Sequence, residues 1–205
     1  MESKIINILN NYDINYLKIN DQKHICEILN MFTNDIIIEN TNNDQALSYY
    51  IGCYYKIKQD FDNMLIHFTL AAELDEINSI IYLAHYYEDI NDHIKTEQFY
   101  LQGIKLGSIT CLSDFGGYYQ DQQNYDLMKK YYNLAIDHGS TDAMINLGDY
   151  YACNSDYELM KKYYIDAADL GDRKAMLYLV YQYKIENDFI NMQKYYMMSL
   201  LTKKL

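Results

Sequence analysis

From residue 43 onward, apolar and polar positions follow a helical rhythm that recurs every 32 residues. In the block 139–170, Ala143, Leu147 and Tyr151 are spaced four apart, on one face of a helix. Met160, Tyr164, Ala167 and Ala168 do the same for a second helix. Between them, Cys153-Asn154-Ser155-Asp156 reads as a short polar turn. So short a turn demands an antiparallel helix pair. Each helix is predicted to run about 12–14 residues, roughly 20 Å at 1.5 Å per residue.

Five blocks share this layout: 43–74, 75–106, 107–138, 139–170 and 171–202. One first-helix column holds Ile51, Leu83, Phe115, Leu147 and Leu179. The next holds Gly52, Ala84, Gly116, Gly148 and, as the exception, Val180. Three residues on stand Tyr55, Tyr87, Tyr119, Tyr151 and Tyr183. In the second helix the aromatic column is Phe68, Tyr100, Tyr132, Tyr164 and Tyr196, followed by the small column Ala71, Gly103, Ala135, Ala167 and Ser199. Agreement at this many columns marks a stacked-repeat architecture. The small residues let paired helices approach closely, and the rings fill the space between repeats.

Gly107, Gly139 and Gly171 fall just past second helices, where a left-handed C-cap is expected. The next column, Asp44, Glu76, Ser108, Ser140 and Asp172, supplies N-caps, with Glu76 the weakest. Residues 1–42 do not fit the register. Ile5, Ile6, Ile8 and Leu9 make one short amphipathic segment, and His24, Ile25, Ile28, Leu29 and Phe32 a better one. The segment reads as a helical cap covering the first repeat, or as a separate targeting or docking element. Residues 203–205 are left as a tail.

Composition sharpens this. The chain has 25 Tyr and no Pro, and lack of Pro suits uninterrupted helices. A net charge of −12 opposes a phosphate backbone and favours basic partners. The apolar runs are far shorter than the roughly 20 residues a membrane helix needs, and residues 1–8 lack the pattern of a signal peptide. Cys26, Cys53, Cys111 and Cys153 are widely spaced and read as reduced thiols of an intracellular, cytoplasmic protein.

Catalytic signatures are missing from the sequence. No two of His24, His67, His85, His93 and His138 have ligand spacing, and no Cys joins them. Phosphate-loop, nucleophile-elbow and H-E-x-x-H patterns do not occur. Glu88 and Asp89 are adjacent, so they do not face each other on a helix. The expectation is a non-enzyme with no cofactor and no metal.

These columns resemble the tetratricopeptide superfamily, and within it the Sel1-like repeats. Ala143-x-x-x-Leu147-Gly148-x-x-Tyr151 is similar to the first-helix signature, and Lys162-x-Tyr164-x-x-Ala167-Ala168-x-x-Gly171-Asp172 to the second helix and turn. Two features depart from the pattern. The Gly-containing insertion usual between Sel1-like helices is missing, and Met64, Met128, Met160 and Met192 stand where tetratricopeptide repeats have Ala. The Pro-free, L-M-K-K-Y-Y style also resembles repeat proteins of giant DNA viruses of amoebae, which would place the protein in a host cell. The resemblance implies an all-α, right-handed solenoid of antiparallel helix pairs. It also implies a concave surface, lined by first helices, that binds peptides or partner proteins.

On that geometry the candidate partner-binding residues are Tyr49, Cys53, Lys56, Ile81, His85, Glu88, Asp89, Asp114, Gln120, Asp121, Ile145, Asp149, Tyr178, Tyr181 and Lys184, with Gly117 among them. The middle of this set is acidic, which points to a partner segment with basic residues. The pairs Lys129-Lys130 and Lys161-Lys162 read either as a basic stripe or as solvated stems over Tyr131 and Tyr163. Met197, Met198, Leu200, Leu201 and Leu205 either fold back or offer a patch to another subunit. The expected function is a protein–protein interaction scaffold or adaptor. The alternative is an accessory subunit of a nucleic-acid-associated complex.

Overall fold

The computed structural model describes residues 45–202; residues 1–44, with the expected cap at 1–42 and the expected N-cap Asp44, and the tail 203–205 lie outside the described residues. Among the described residues there are ten α-helices and no strands. They are α1 (Gln45–Lys58), α2 (Phe61–Glu73), α3 (Ile77–Asp89), α4 (His93–Lys105), α5 (Ile109–Asp121), α6 (Tyr125–Asp137), α7 (Thr141–Cys153), α8 (Tyr157–Asp169), α9 (Arg173–Ile185) and α10 (Phe189–Leu201). The fold is an all-α helical-repeat solenoid of paired helices. Two compact units are present, one within residues 1–106 that includes α1–α4 and one within 107–205 that includes α5–α10. In the first unit α1 packs on α2, α2 on α3, and α3 on α4. In the second, α5–α6, α7–α8 and α9–α10 are pairs, with α6 on α7 and α8 on α9.

The backbone halves the 32-residue period. Helices begin at Gln45, Phe61, Ile77, His93 and so on, 16 residues apart. Each junction uses the same three-residue device. A left-handed residue ends one helix: Gly107, Gly139 and Gly171 at φ +83°, +84° and +90°. Gln59, Asp75, Asn91, Gln123, Ser155 and Asn187 take the same conformation without the freedom of glycine. The following residue caps the next helix. Asp156 accepts the Leu159 N–H at 3.2 Å, and Asp172 accepts that of Ala175 at 2.9 Å. Glu76, the weakest cap by sequence, accepts from both Asn78 and Ser79, because its longer side chain bends back over the first turn. Asp156 N–H also bonds the Tyr151 carbonyl and Asp172 N–H that of Ala167, satisfying helix ends that would otherwise be orphaned.

Inside three of the five pairs, one contact recurs. The ring of the second-helix aromatic lies directly on the first-helix glycine. A Cβ built on Gly148 would sit 2.5 Å from the Tyr164 ring, on Gly116 2.5 Å from Tyr132, and on Gly52 2.7 Å from Phe68. Phe68, Tyr132 and Tyr164 are all buried as a result. Burying such a side chain contributes about 1.5–3 kcal/mol. A second contact closes each pair. Tyr87 stacks on Phe99, Tyr119 on Tyr131, Tyr151 on Tyr163 and Tyr183 on Tyr195, with interplanar angles of 4–8°. In the first pair His67 takes the partner's place on Tyr55. The rings expected between repeats thus also work within them, because the glycine leaves room for a ring where a side chain would stand.

Two expected outcomes follow. Gly148→Val, which copies residue 180, should cost about 1–3 kcal/mol by overpacking against Tyr164, read from urea unfolding. Gln123→Gly should gain on the order of 0.5–1 kcal/mol by relieving the left-handed side chain, read from the same curves.

Candidate protein-interaction face

In the first unit, Tyr49, Cys53 and Lys56 line a cleft of about 320 Å³ with Ile57, Phe68, Asn78 and Tyr82. The Lys56 ammonium lies 4.4 Å from the centre of the Tyr82 ring. Cys53 is only 8% exposed and belongs to the core, so its sulfur is a wall of the cleft rather than a contact residue. Ile81 is half-buried. His85 sets its ring edgewise against Tyr100, and Glu88 accepts the Tyr100 hydroxyl proton at 2.9 Å. Asp89 is exposed.

The second unit gathers more. The Tyr132 hydroxyl donates to Gln120 at 3.4 Å, and Asn146 bonds the same oxygen. The Tyr164 hydroxyl donates to Asp149. Asp114, Asp121 and Asp149 are all close enough to disfavour a phenolate at Tyr132. The first helices α5 and α7 therefore hold three carboxylates and two amides around two buried phenols. Neither helix contains a Lys or Arg. Asp114 and Asn146 also line an open polar cleft of about 460 Å³ with Ser113, Ser140 and Asp142. Tyr178 follows on α9, its ring 5.2 Å from Tyr164, while Tyr181 and Lys184 are exposed.

Several of the sequence-derived candidates change role. Ile145 is 6% exposed and packs with Met160, Tyr164 and Met176, so it is core and not part of the face. Helix α9 covers it. Glu88, Gln120 and Asp149 first satisfy tyrosine hydroxyls that would be costly to bury alone. Asn146 was missed by the sequence reading. Its column holds Tyr50, Tyr82, Asp114 and Tyr178, and a polar member beside Asp114 was the available signal.

The lysine pairs lie along the surface against neighbouring side chains, with Lys130 and Lys162 exposed. Lys130 lies over Tyr131 and Lys162 over Tyr163, at 5.2 and 5.5 Å from the ring centres. Lys129 reaches Tyr150 of the next repeat at 5.2 Å. Lys161 bridges Glu158 and Glu186, 3.3 Å from each. Among the described residues no cluster of three or more His, Cys, Asp or Glu could hold a metal ion, and no helix is long and apolar enough to cross a membrane.

Burial pushes the Tyr132 and Tyr50 phenols up to about 12, and raises Tyr164 further, with its bond to Asp149 adding to the effect. The folded protein thus keeps these protons at pH values where an unfolded chain, with tyrosines near about 10, has lost them. Their contribution to stability is intact below about pH 10 and falls as pH climbs towards about 12. An alkaline titration should show exposed tyrosines ionising first, then buried ones together with helix loss. Independent, early ionisation of all tyrosines at full helicity would contradict this burial.

No protein-family model matches the chain, and no curated protein sequence matches it. Solved structures do. The chain is similar to a Sel1 repeat protein from Oxalobacter formigenes, at 20% identity and a TM-score of 0.61, over 77% of this chain and 73% of that one. It is similar to c5321, a protective antigen present in uropathogenic Escherichia coli strains displaying an SLR fold, at 18% identity and a TM-score of 0.61. That match covers 76% of this chain but only 38% of c5321. The MamA protein aligns at 17% identity and a TM-score of 0.52, over 78% of this chain and 92% of that one. At these identities the likeness concerns the fold, which is that of Sel1-like repeats.

Proposed function

We propose that this chain is a non-enzymatic interaction scaffold whose first-helix face on α5 and α7 takes a basic segment of a partner protein. One observation carries the reading. Asp114, Asp121 and Asp149 lie near one another around Tyr132, on two helices that contain no Lys or Arg, beside a polar cleft and the tyrosine of α9. A lysine or arginine from a partner would meet carboxylates through charge-assisted bonds, and Tyr178 offers an aromatic anchor. A protein partner is favoured over nucleic acid because the recurrent lysines already lie over tyrosine rings or pair with glutamates. The intracellular setting and the lack of catalysis belong to this same reading.

The test uses a synthetic peptide of alternating lysine and aromatic residues, titrated calorimetrically at several salt concentrations. The double variant Asp114→Lys/Asp121→Lys should weaken binding by about tenfold or more, roughly 1.4 kcal/mol, while its helicity and melting temperature stay near wild type. Equal affinity for wild type and double variant would refute the acidic face.

A further inference from the structure

In three of the five pairs the second-helix tyrosine spends its hydroxyl on a polar side chain of its first helix. Tyr100 donates to Glu88 at 2.9 Å, Tyr132 to Gln120 at 3.4 Å, and Tyr164 to Asp149. The first pair departs from this twice. Phe68 has no hydroxyl to give, and Lys56 stands in the column of Glu88 and Gln120. An ammonium only donates, so it is no substitute for the lost acceptor. The cleft of about 320 Å³ in the first unit opens here, bounded by α1, α2 and α3.

Three rings line it. The centre of Phe68 lies 4.3 Å from that of Tyr82 and 5.9 Å from that of Tyr49. The Tyr82 hydroxyl donates to the Met64 sulfur at 3.2 Å. One cation reaches the cleft. Lys56 is exposed and brings its ammonium to 4.4 Å from the centre of the Tyr82 ring. Among the described residues no carboxylate forms an ion pair with it. Glu76, at the start of α3, is already held by the N–H groups of Asn78 and Ser79 and by the Asn78 side-chain amide.

We infer that this cleft binds a small aromatic carboxylate, its ring among Tyr49, Phe68 and Tyr82 and its acid group at Lys56. A volume of about 320 Å³ is at the small end of ligand pockets, which span about 300–1,000 Å³, and suits one ring system with a short acidic arm. The lining rings offer offset and edgewise contacts to another ring. Charge sets the orientation. Where Glu88 stands in the second pair a carboxylate would be repelled, and Lys56 draws it instead. The chain as a whole carries −12 and opposes anions, so charge without ring burial is insufficient.

The experiment is a heteronuclear NMR titration of the full chain with indole-3-acetate. Amide signals of Tyr49, Cys53 and Tyr82 should shift together, with a Kd of about 1 mM or tighter. Acetate, the charge without the ring, should leave them in place, and indole-3-acetamide, the ring without the charge, should bind about threefold to fivefold more weakly. Lys56→Glu/Phe68→Tyr, which copies the Glu88 and Tyr100 arrangement, should weaken binding about tenfold or more at unchanged helicity. Lys56→Gln, at an exposed side chain, should match the effect of the amide probe. No shift at millimolar indole-3-acetate would overturn the inference. So would equal affinity for acid and amide, or a double variant that binds as wild type does. The probe carries no cation, so this result and that for the basic peptide at α5 and α7 can fail separately.

Discussion

The contact between an aromatic ring and a glycine one helix away sets the spacing of three of the five pairs. Tyr132 on Gly116 and Tyr164 on Gly148 lie where a side chain would stand. The helices approach closely enough for the stacks Tyr119–Tyr131 and Tyr151–Tyr163 to form a turn further along. The buried phenols then need hydrogen-bond partners, and the first helix provides them as Gln120, Asn146 and Asp149. A packing constraint thereby places polar groups at one edge of the first-helix face. The acidic character of that face comes partly from satisfying the tyrosines beneath it.

Two pairs carry Ala84 and Val180 in the place of the glycine. Ala84 still admits a buried Tyr100, because one methyl can be accommodated under the ring. Tyr196 is half exposed, and no following helix pair lies over it among the described residues as α9 lies over Tyr164.

The helix pairs and the period were legible because each column repeats, so chance similarities averaged out. The 16-residue spacing was hidden, because Gln59, Asn91, Gln123, Ser155 and Asn187 share a backbone conformation but no side-chain type. The candidate face was legible only as a column pattern. The sequence could mark Asp114, Asp121 and Asp149 as outward-facing, but register alone cannot tell a groove residue from one that the next repeat covers. Ile145 fell on the wrong side of that line because α9 lies over it. Cys53 did so because the cleft wall at Tyr49 and Tyr82 encloses it. Whether a polar side chain is spent on a neighbour was also not readable, since Glu88 and Asp149 meet hydroxyls on a different helix.

The most direct measurement is amide hydrogen exchange of the full chain with and without a lysine- and aromatic-rich peptide. The account predicts slower exchange in α5 and α7, with α6 and α8 unchanged. Protection confined to α6 and α8, around Lys129-Lys130 and Lys161-Lys162, or no protection under conditions where the peptide is bound, would contradict it.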